Sequence, residues 1–242
     1  MEIGFYGLGR MGGNMVTRLV QGGHKVIASN RSKGPVDVAA QHGAMPAYSM
    51  EELVSKLSDS PKAVWIMVPS GQVVDDTLAH LTTLLKPGDI IIDGGNSWYK
   101  DTKRRAADLT AKGFHYMDCG TSGGVWGLKE GYSLMIGGEQ DIFKHLEPIF
   151  KTLAPPNGYG YFGPHGAGHF VKMVHNGVEY GMLQAYGEGF EILKASEYDL
   201  NLLDVTHVWQ HGSVVRSWLL DLAELAFEAD GSDLANIRGY VE

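Results

Sequence analysis

The chain of 242 residues is poor in cysteine, since it contains only Cys119. One cysteine cannot form an internal disulfide, and this favours the reducing environment of the cytoplasm. The residues beside Cys119 offer no base, so we expect a buried, inert thiol rather than a nucleophile. The sequence also lacks an HExxH motif and paired-cysteine spacings, so we expect no metal site.

The chain also lacks long apolar runs and an excess of positive charge. No stretch approaches the ~20 apolar residues of a membrane span. The 20 Lys and Arg against 28 Asp and Glu give a net charge of −8, which argues against general nucleic-acid binding but leaves room for a local basic pocket. The hydrophobic content of 44% suffices for a sizeable core in one or two domains. The N-terminus enters a strand directly, so we expect no signal peptide.

The N-terminal segment carries a glycine motif between a strand and a helix. A strand is predicted over residues 2–6 and a second one over 24–29, with an apolar helical stretch between them. In this context a G-x-G-x-x-G turn predicts dinucleotide binding, because its backbone approaches a pyrophosphate and the helix N-terminus attracts the anion. The predicted cofactor-binding residues of the turn are Gly7, Leu8, Gly9, Arg10, Met11 and Gly12.

The end of the second predicted strand bears on the choice of dinucleotide. NAD-selective folds usually place Asp or Glu there to hold the ribose 2′-hydroxyl. This chain has Asn30, Arg31 and Ser32 instead, and a guanidinium can pair with a 2′-phosphate. We therefore predict a preference for NADP. If Arg31 only stacks on the adenine, NAD is accepted as well.

Strands and helices alternate along most of the chain, which predicts an α/β fold with a doubly wound, mostly parallel, Rossmann-like sheet. From about residue 167 the pattern is helix after helix, with Ser213 as the expected N-cap of an amphipathic helix over 214–220. We expect a dinucleotide-binding domain at 1–160 and an all-helical domain at 161–242. Ligands bind at the carboxyl ends of such strands. There the sequence places the expected cofactor-binding residues Val68, Pro69, Ser70 and Asn96, the last where cofactor and substrate would meet, and a small anion cradle of Ser122, Gly123 and Gly124.

A later helical segment concentrates polar side chains on one face. Lys172, His175, Asn176 and Glu179 recur at helical spacing, with Tyr180 on the flank. The face offers a possible base and a possible acid for proton transfer. Taken alone, the pattern fits a solvated face with an i,i+7 charge pair better than a catalytic one.

Five motifs together give the chain a specific resemblance. They are GLGRMG at 7–12, NRS at 30–32, DGGNSWY at 93–99, GTSGG at 120–124 and GHFVKMVHNGVEYG at 168–181. With them the chain resembles the decarboxylating 6-phosphogluconate dehydrogenases of the pentose phosphate pathway, and the length of the helical part resembles the short form of that family. The resemblance implies a dinucleotide-binding domain, a helical domain that builds a homodimer, and an activity that needs no metal.

The same resemblance implies roles for individual residues. Lys172 is expected to take the proton of the C3 hydroxyl of 6-phosphogluconate as hydride leaves for NADP, which requires a lysine pKa lowered by its surroundings. Glu179 is expected to protonate C1 of the enediol, giving ribulose 5-phosphate. The residues expected to hold the sugar acid are Asn96, Ser122, Gly123, Gly124, His175, Asn176 and Tyr180.

The C-terminal part departs from the family pattern. Family members continue beyond the position of Glu242 with helices that carry a lysine and arginines of the substrate phosphate site, some of them donated by the partner subunit. Within this sequence, Tyr180, Arg216 and Arg238 are the candidates for that role. We therefore expect these 242 residues to form part of a longer enzyme.

Two alternatives remain open from the sequence. One is a non-decarboxylating β-hydroxyacid dehydrogenase, which would share the glycine turn and the lysine but is expected to lack the His-Asn-Gly-x-Glu-Tyr continuation. The other is a non-catalytic dinucleotide-sensing module, against which the pair of Lys172 and Glu179 argues.

Overall fold

The computed structural model describes residues 1–58 and 60–237. In this part of the chain, eight strands form one sheet: β1 (Glu2–Tyr6), β2 (Lys25–Ser29), β3 (Met45–Ala47), β4 (Ala63–Ile66), β5 (Ile90–Asp93), β6 (His115–Ser122), β7 (Ser133–Gly137) and β8 (Tyr159–Gly163). The helices are α1 (Arg10–Gln21), α2 (Lys33–Gln41), α3 (Met50–Lys56), α4 (Gln72–Leu84), α5 (Tyr99–Ala111), α6 (Gly127–Glu130), α7 (Gln140–Leu153), α8 (Ala167–Lys194), α9 (Leu202–Gln210) and α10 (Trp218–Asp230).

The sheet has the strand order β3-β2-β1-β4-β5-β6-β7-β8. The first six strands are parallel, so their carboxyl ends meet at one edge. Strand β7 runs antiparallel to β6, and β8 runs parallel to β7. The order 3-2-1-4-5-6 is that of a doubly wound dinucleotide-binding sheet. The predicted Rossmann-like fold, followed by helices, is therefore confirmed.

Both faces of the sheet are buried, because alternate residues of each strand point to opposite sides. In β4, Trp65 contributes to the core on one face, whereas Val64 and Ile66 contribute to the core on the other. In β5, Ile92 belongs to the same core as Trp65, and Ile91 belongs to the same core as Val64 and Ile66. This explains why the central strands read as continuous apolar runs rather than as alternating patterns.

The chain divides into two compact units, residues 1–174 and 175–242. The first contains the whole sheet, and helix α8 begins in it and continues into the second unit. Strand β8 occupies 159–163, in the segment where the sequence placed the boundary between its two domains. The assignment of 1–160 and 161–242 to two domains stays a prediction.

The second unit is organised around aromatic side chains. Phe190 of α8 stacks on Trp209 of α9 at 5.9 Å and meets Phe227 of α10 edge-on at 5.1 Å, measured between ring centroids. The helix expected over 214–220 with Ser213 as its N-cap was placed wrongly. Helix α10 begins at Trp218, and its N-cap is Ser217, whose hydroxyl accepts a hydrogen bond from the Leu220 N–H at 3.2 Å.

The hydroxyl of Ser213 instead accepts a bond from Val215 N–H within the preceding turn, at 3.3 Å. Short polar side chains favour both turns and caps, so the sequence alone did not show which of the two serines is the N-cap. Among the residues that the structure describes, no helix combines the length and apolar character needed to cross a membrane. The same residues contain no cluster of three or more His, Cys, Asp or Glu side chains that could hold a metal ion.

Candidate active site

The glycine turn after β1 is shaped by close backbone contacts. Gly7 has a φ of 105°, and a Cβ on it would lie 2.2 Å from the carbonyl oxygen of Met67. A Cβ on Gly12 would lie 2.0 Å from the carbonyl oxygen of Gly7, so this glycine allows α1 to pack against the turn. A Cβ on Gly9, by contrast, would have no described atom within 4 Å. The turn is therefore closed on its inner side and open at Gly9.

The N-terminus of α1 faces this opening. The first intrahelical hydrogen bond runs from Gly13 N–H to the Gly9 carbonyl at 2.9 Å, so the N–H groups of Arg10, Met11 and Gly12 precede the helical ladder. Such N–H groups and the positive end of the helix dipole attract an anion. The turn thus fits the pyrophosphate of a dinucleotide both in its shape and in its donors.

The tip of β2 lies beside the same turn. The side-chain oxygen of Asn30 accepts a hydrogen bond from Leu8 N–H at 3.0 Å, and its amide group donates to the Ser32 hydroxyl at 3.0 Å. Arg31 and Ser32 are exposed. Asn30 therefore fixes the glycine turn to the loop that carries Arg31. It stands where NAD-selective folds carry an acid, and a cation follows it.

The loop after β4 contains Val68, Pro69 and Ser70, of which the last two are exposed. Buried Arg105 of α5 supports the end of this loop. Its guanidinium donates to the carbonyl oxygen of Gly71 at 2.9 Å and binds both carboxylate oxygens of Asp75 at 3.0 Å. The hydrogen bonds from Arg105 hold the pKa of Asp75 below its usual value.

The loop after β5 presents Asn96. The fully buried carboxylate of Asp93 accepts hydrogen bonds from the Ser97 hydroxyl at 2.7 Å, the Tyr116 hydroxyl at 3.0 Å and the Gly95 N–H at 3.1 Å. Asn96 is exposed although both of its sequence neighbours are buried. The side chains of Asp93 and Ser97 thus bind each other within the loop, whereas the amide of Asn96 is exposed at the carboxyl end of the sheet.

The loop after β6 contains Ser122, Gly123 and Gly124. Gly123 and Gly124 have φ values of 128° and 51°, in the region that favours glycine. The amide of Asn14 in α1 donates to the carbonyl oxygen of Val125 at 3.3 Å. This bond connects the loop to the helix that begins at the glycine turn, so the two predicted ligand-binding loops are joined.

Lys172 is buried, with 8% of its surface exposed, in the first unit's part of α8. Its side-chain stem lies directly against β6. A Cβ on Gly120 would lie 2.3 Å from Cβ of Lys172 and 3.0 Å from its Cγ. The structure therefore brings the predicted base to the strand whose end carries Ser122, Gly123 and Gly124.

The residues that hold the start of α8 were not predicted from the sequence. The buried carboxylate of Asp118 accepts hydrogen bonds from Gly166 N–H at 2.7 Å and His169 N–H at 2.9 Å. The imidazole Nδ1 of His169 lies 2.7 Å from the hydroxyl of Thr102. The signal in the sequence was an acid within the buried strand β6, since a buried carboxylate requires donors.

Cys119 is fully buried between Asp118 and Gly120, and its burial raises the pKa of the thiol far above its usual value. A thiol held in its protonated form is a poor nucleophile. The expectation of an inert thiol agrees with this environment.

The remaining predicted residues of α8 belong to the second unit. His175, Asn176 and Glu179 are half-buried, whereas Tyr180 is exposed. Nδ1 of His175 lies 3.2 Å from the side-chain oxygen of Asn176 and 3.7 Å from a carboxylate oxygen of Glu179. The helix predicted for this segment is confirmed, and these three side chains share one of its faces.

Two cationic candidates for a phosphate site lie further along. Arg216 is exposed and lines a cavity of about 450 Å³ together with Gln210, His211, Gly212 and Asp221. Arg238 lies outside the described residues. The role of either arginine in phosphate binding stays a prediction.

Two family models match consecutive parts of the chain. The one described as the NAD binding domain of 6-phosphogluconate dehydrogenase matches residues 2–163. The one described as the C-terminal domain of 6-phosphogluconate dehydrogenase matches residues 168–197. The glycine turn and the loops after β4, β5 and β6 fall in the first match, and the polar face of α8 falls in the second.

Individual relatives agree with the family models. An enzyme of Haloferax volcanii, named as an NAD(+)-dependent, decarboxylating 6-phosphogluconate dehydrogenase, is 48% identical over 242 residues, which are 100% of this chain and 80% of the relative. The decarboxylating 6-phosphogluconate dehydrogenase of Haemophilus influenzae is 43% identical over 203 residues, which are 80% of this chain and 42% of the relative.

A solved structure shows the same similarity in three dimensions. The 6-phosphogluconate dehydrogenase of Plasmodium falciparum, described in its apo form and in complexes with NADP+ and with 6-phosphogluconate, superposes with a TM-score of 0.85 at 32% identity. The match covers 93% of this chain and 50% of that one.

Proposed function

Because this chain belongs to the 6-phosphogluconate dehydrogenase family, we propose that it carries out the oxidative decarboxylation of 6-phosphogluconate to ribulose 5-phosphate and carbon dioxide. The observation that carries the proposal is the placement of buried Lys172 against Gly120 of β6. That strand runs parallel to β1, at whose carboxyl end the glycine turn lies.

The proposed chemistry needs one base and one acid from the protein. Lys172, entering as the neutral amine, takes the proton of the C3 hydroxyl. A nicotinamide dinucleotide, when bound, supplies the acceptor for the hydride from C3. The Lys172 ammonium then polarises the new C3 carbonyl and donates its proton to the carbonyl oxygen as the bond between C1 and C2 breaks. Carbon dioxide leaves, and the electron pair of that bond forms the C2=C3 double bond of the enediol. Glu179 donates a proton to the carbon that lost the carboxylate while Lys172 takes the proton of the enediol hydroxyl at C3, so the protonated carbon becomes C1 of ribulose 5-phosphate.

The other polar groups are proposed to hold the sugar acid. Asn96 and the loop of Ser122, Gly123 and Gly124 are suited to bind hydroxyls and the carboxylate through amide, hydroxyl and N–H donors. From α8, His175, Asn176 and Tyr180 are proposed to contribute further bonds. Tyr180 and Arg216 are the candidates among the described residues for the substrate phosphate.

We propose NADP as the preferred dinucleotide, with NAD tolerated. The support is the cation at the tip of β2, where Arg31 is exposed and Asn30 occupies the usual position of an acid. The relatives point in both directions, since the Haloferax volcanii enzyme is named NAD(+)-dependent and the Plasmodium falciparum enzyme is described with NADP+. Arg31 is the residue on which this choice depends.

The homodimer and the cytoplasmic location implied by the resemblance also remain proposals. The alternative of a non-decarboxylating β-hydroxyacid dehydrogenase is less well supported, because the chain carries His175, Asn176 and Glu179 beyond the shared lysine. The alternative of a sensing module is also less well supported, because such a module would not require a lysine buried against β6.

The activity is tested by following dinucleotide reduction with 6-phosphogluconate and, in parallel, with a small 3-hydroxy acid. We expect reduction with the phosphorylated sugar acid only, and its loss in Lys172→Met with dinucleotide binding retained. Reduction with the small hydroxy acid alone would support the non-decarboxylating alternative. Dinucleotide binding without turnover of either substrate would support the sensing module.

A further inference from the structure

Asp118 occupies an unusual place for a carboxylate. It lies in β6, paired with Asp93 of β5 and Gly137 of β7, and is 0% exposed. Both of its oxygens accept backbone hydrogen bonds, one from Gly166 N–H and the other from His169 N–H. A buried carboxylate is costly unless it is hydrogen-bonded, so these two bonds account for its position.

These two donors belong to the beginning of α8. The first N–H groups of a helix have no partner within the helix, and an acid there also interacts favourably with the helix dipole. Most helices receive this acceptor from a residue just before the helix. Here the acceptor comes from a strand 48 residues earlier for Gly166, so the cap also fixes the helix to the sheet.

The same turn of α8 has a second attachment. His169 is 1% exposed, and its Nδ1 lies 2.7 Å from Oγ1 of Thr102 in α5. The rings of Phe170 in α8 and Tyr99 in α5 meet edge-on at 5.2 Å. Helix α5 directly follows the loop that carries Asn96. The first turn of α8 is therefore held by β6 on one side and by α5 on the other.

Lys172 lies one turn after His169, where its stem contacts Gly120. We propose that Asp118 is a positioning residue, which fixes the start of α8 so that Lys172 reaches the substrate at the distance and angle that proton transfer requires. This inference rests on the proposed function, because the position of Lys172 matters for catalysis only if this lysine is the base. Reacting groups displaced by about 1 Å can lose on the order of 10²-fold in rate.

The first test compares Asp118→Asn with Asp89→Asn. Asp89 provides a matched control, because its buried carboxylate accepts Lys62 N–H at 2.9 Å and Lys86 N–H at 2.8 Å at the opposite, amino end of β5. In each variant the amide can accept only one of the two bonds and turns a donor towards the other N–H. Both proteins should lose stability, which thermal unfolding measures.

Only Asp118→Asn should alter catalysis. We expect kcat with 6-phosphogluconate to fall by roughly 10²-fold while KM for the dinucleotide stays unchanged. Asp89→Asn should retain the kcat of the wild type. Equal kcat values in the two variants would show that Asp118 has a structural role only.

A second measurement does not depend on turnover. Competitive acetylation of the folded proteins, mapped by peptide mass spectrometry, reports how accessible Lys172 is relative to the exposed lysines. We expect Lys172 to react severalfold faster in Asp118→Asn and at the wild-type rate in Asp89→Asn. Unchanged labelling of Lys172 in Asp118→Asn would overturn the proposal. If the wild type shows no turnover, the proposed function fails, but this comparison still decides the role of Asp118.

Hydrogen exchange of the wild type covers the case in which Asp118→Asn does not fold. The amide hydrogens of Gly166 and His169 should exchange slowly, although such groups at a helix N-terminus usually exchange fast. Fast exchange at both amides would show that the carboxylate does not hold the helix, and would overturn the proposal.

Discussion

Gly120 and Lys172 lie so close together that a methyl group on Gly120 would come within 2.3 Å of Cβ of Lys172. It would also lie 3.0 Å from the carbonyl oxygen of Gly168 in the backbone of α8. The position of Lys172 therefore requires a residue without a side chain at position 120 of β6. A substitution at this glycine must move the lysine, the helix or the strand, since cores tolerate little added volume.

We predict that Gly120→Ala lowers kcat for 6-phosphogluconate oxidation by on the order of 10²-fold, because it displaces Lys172. Dinucleotide affinity, measured by fluorescence titration, should remain at the wild-type level. Gly34→Ala is the control, because Gly34 lies in α2 with no described atom within 4 Å of its added methyl. Wild-type kcat in Gly120→Ala would show that the close contact has no bearing on catalysis.

The second prediction concerns the proposed acid. Glu179→Gln keeps the shape and the hydrogen-bonding capacity near His175 but cannot donate the acid proton. Because general acid–base catalysis typically contributes ~10²–10⁴-fold, turnover should fall by about that factor. Steady-state kinetics measures the effect, with Glu191→Gln on an exposed part of the same helix as the control. Equal turnover in both variants would leave Glu179 as a solvated face residue.

The third prediction concerns cofactor choice. A charge-assisted hydrogen bond contributes ~1.5–3 kcal/mol, so Arg31→Ala should weaken NADP binding roughly ten- to a hundredfold and leave NAD binding nearly unchanged. Isothermal titration calorimetry with both dinucleotides tests this. Lys33→Ala, an exposed cation two residues away, controls for general charge attraction. If Arg31→Ala weakens both dinucleotides equally, the guanidinium stacks on the adenine and does not bind the phosphate.

The fourth prediction is a pH dependence of stability. The hydrogen bond with Glu139, 3.0 Å from Nε2, raises the pKa of His165 above 6.5. The pair of His165 and Glu139 therefore contributes its full stabilisation below the ordinary pKa of histidine. This stabilisation is lost as the pH rises through the raised pKa of His165 in the folded state.

The free energy of unfolding of the wild type should thus exceed that of His165→Gln by more at about pH 5.5 than at about pH 9. Urea titrations at both pH values measure the difference, and His42→Gln, at the exposed end of α2, is the control. A difference that grows with pH would contradict the assignment of this pair.

The sheet was predictable wherever its strands are buried on both faces. The apolar runs at 3–5 in β1, 63–66 in β4 and 90–92 in β5 stand out because no charged residue interrupts them. Strands β3 and β8, which were not predicted from the sequence, form the two edges of the sheet. Edge strands tolerate Pro46 in β3 and Gly160 in β8, and these residues are typical of loops.

The candidate site residues Gly9, Asn96 and Lys172 could be proposed from the sequence because each belongs to a recognisable motif, and their roles stay predictions. The supports of the site could not be proposed in this way, because they join residues far apart in the sequence. Asp118 and His169 are 51 residues apart, and Arg105 and Asp75 are 30 apart. A sequence shows that an acid lies among apolar strand residues, but only the fold shows which N–H groups satisfy its charge.

The most direct test of the proposed reaction is the stoichiometry of product formation. With 6-phosphogluconate labelled at C1 by radioactive carbon, we predict that one labelled carbon dioxide is released for each dinucleotide reduced, and that Lys172→Met forms neither product. Dinucleotide reduction without release of labelled carbon dioxide would contradict decarboxylation and would place the chain's activity with the non-decarboxylating hydroxyacid dehydrogenases.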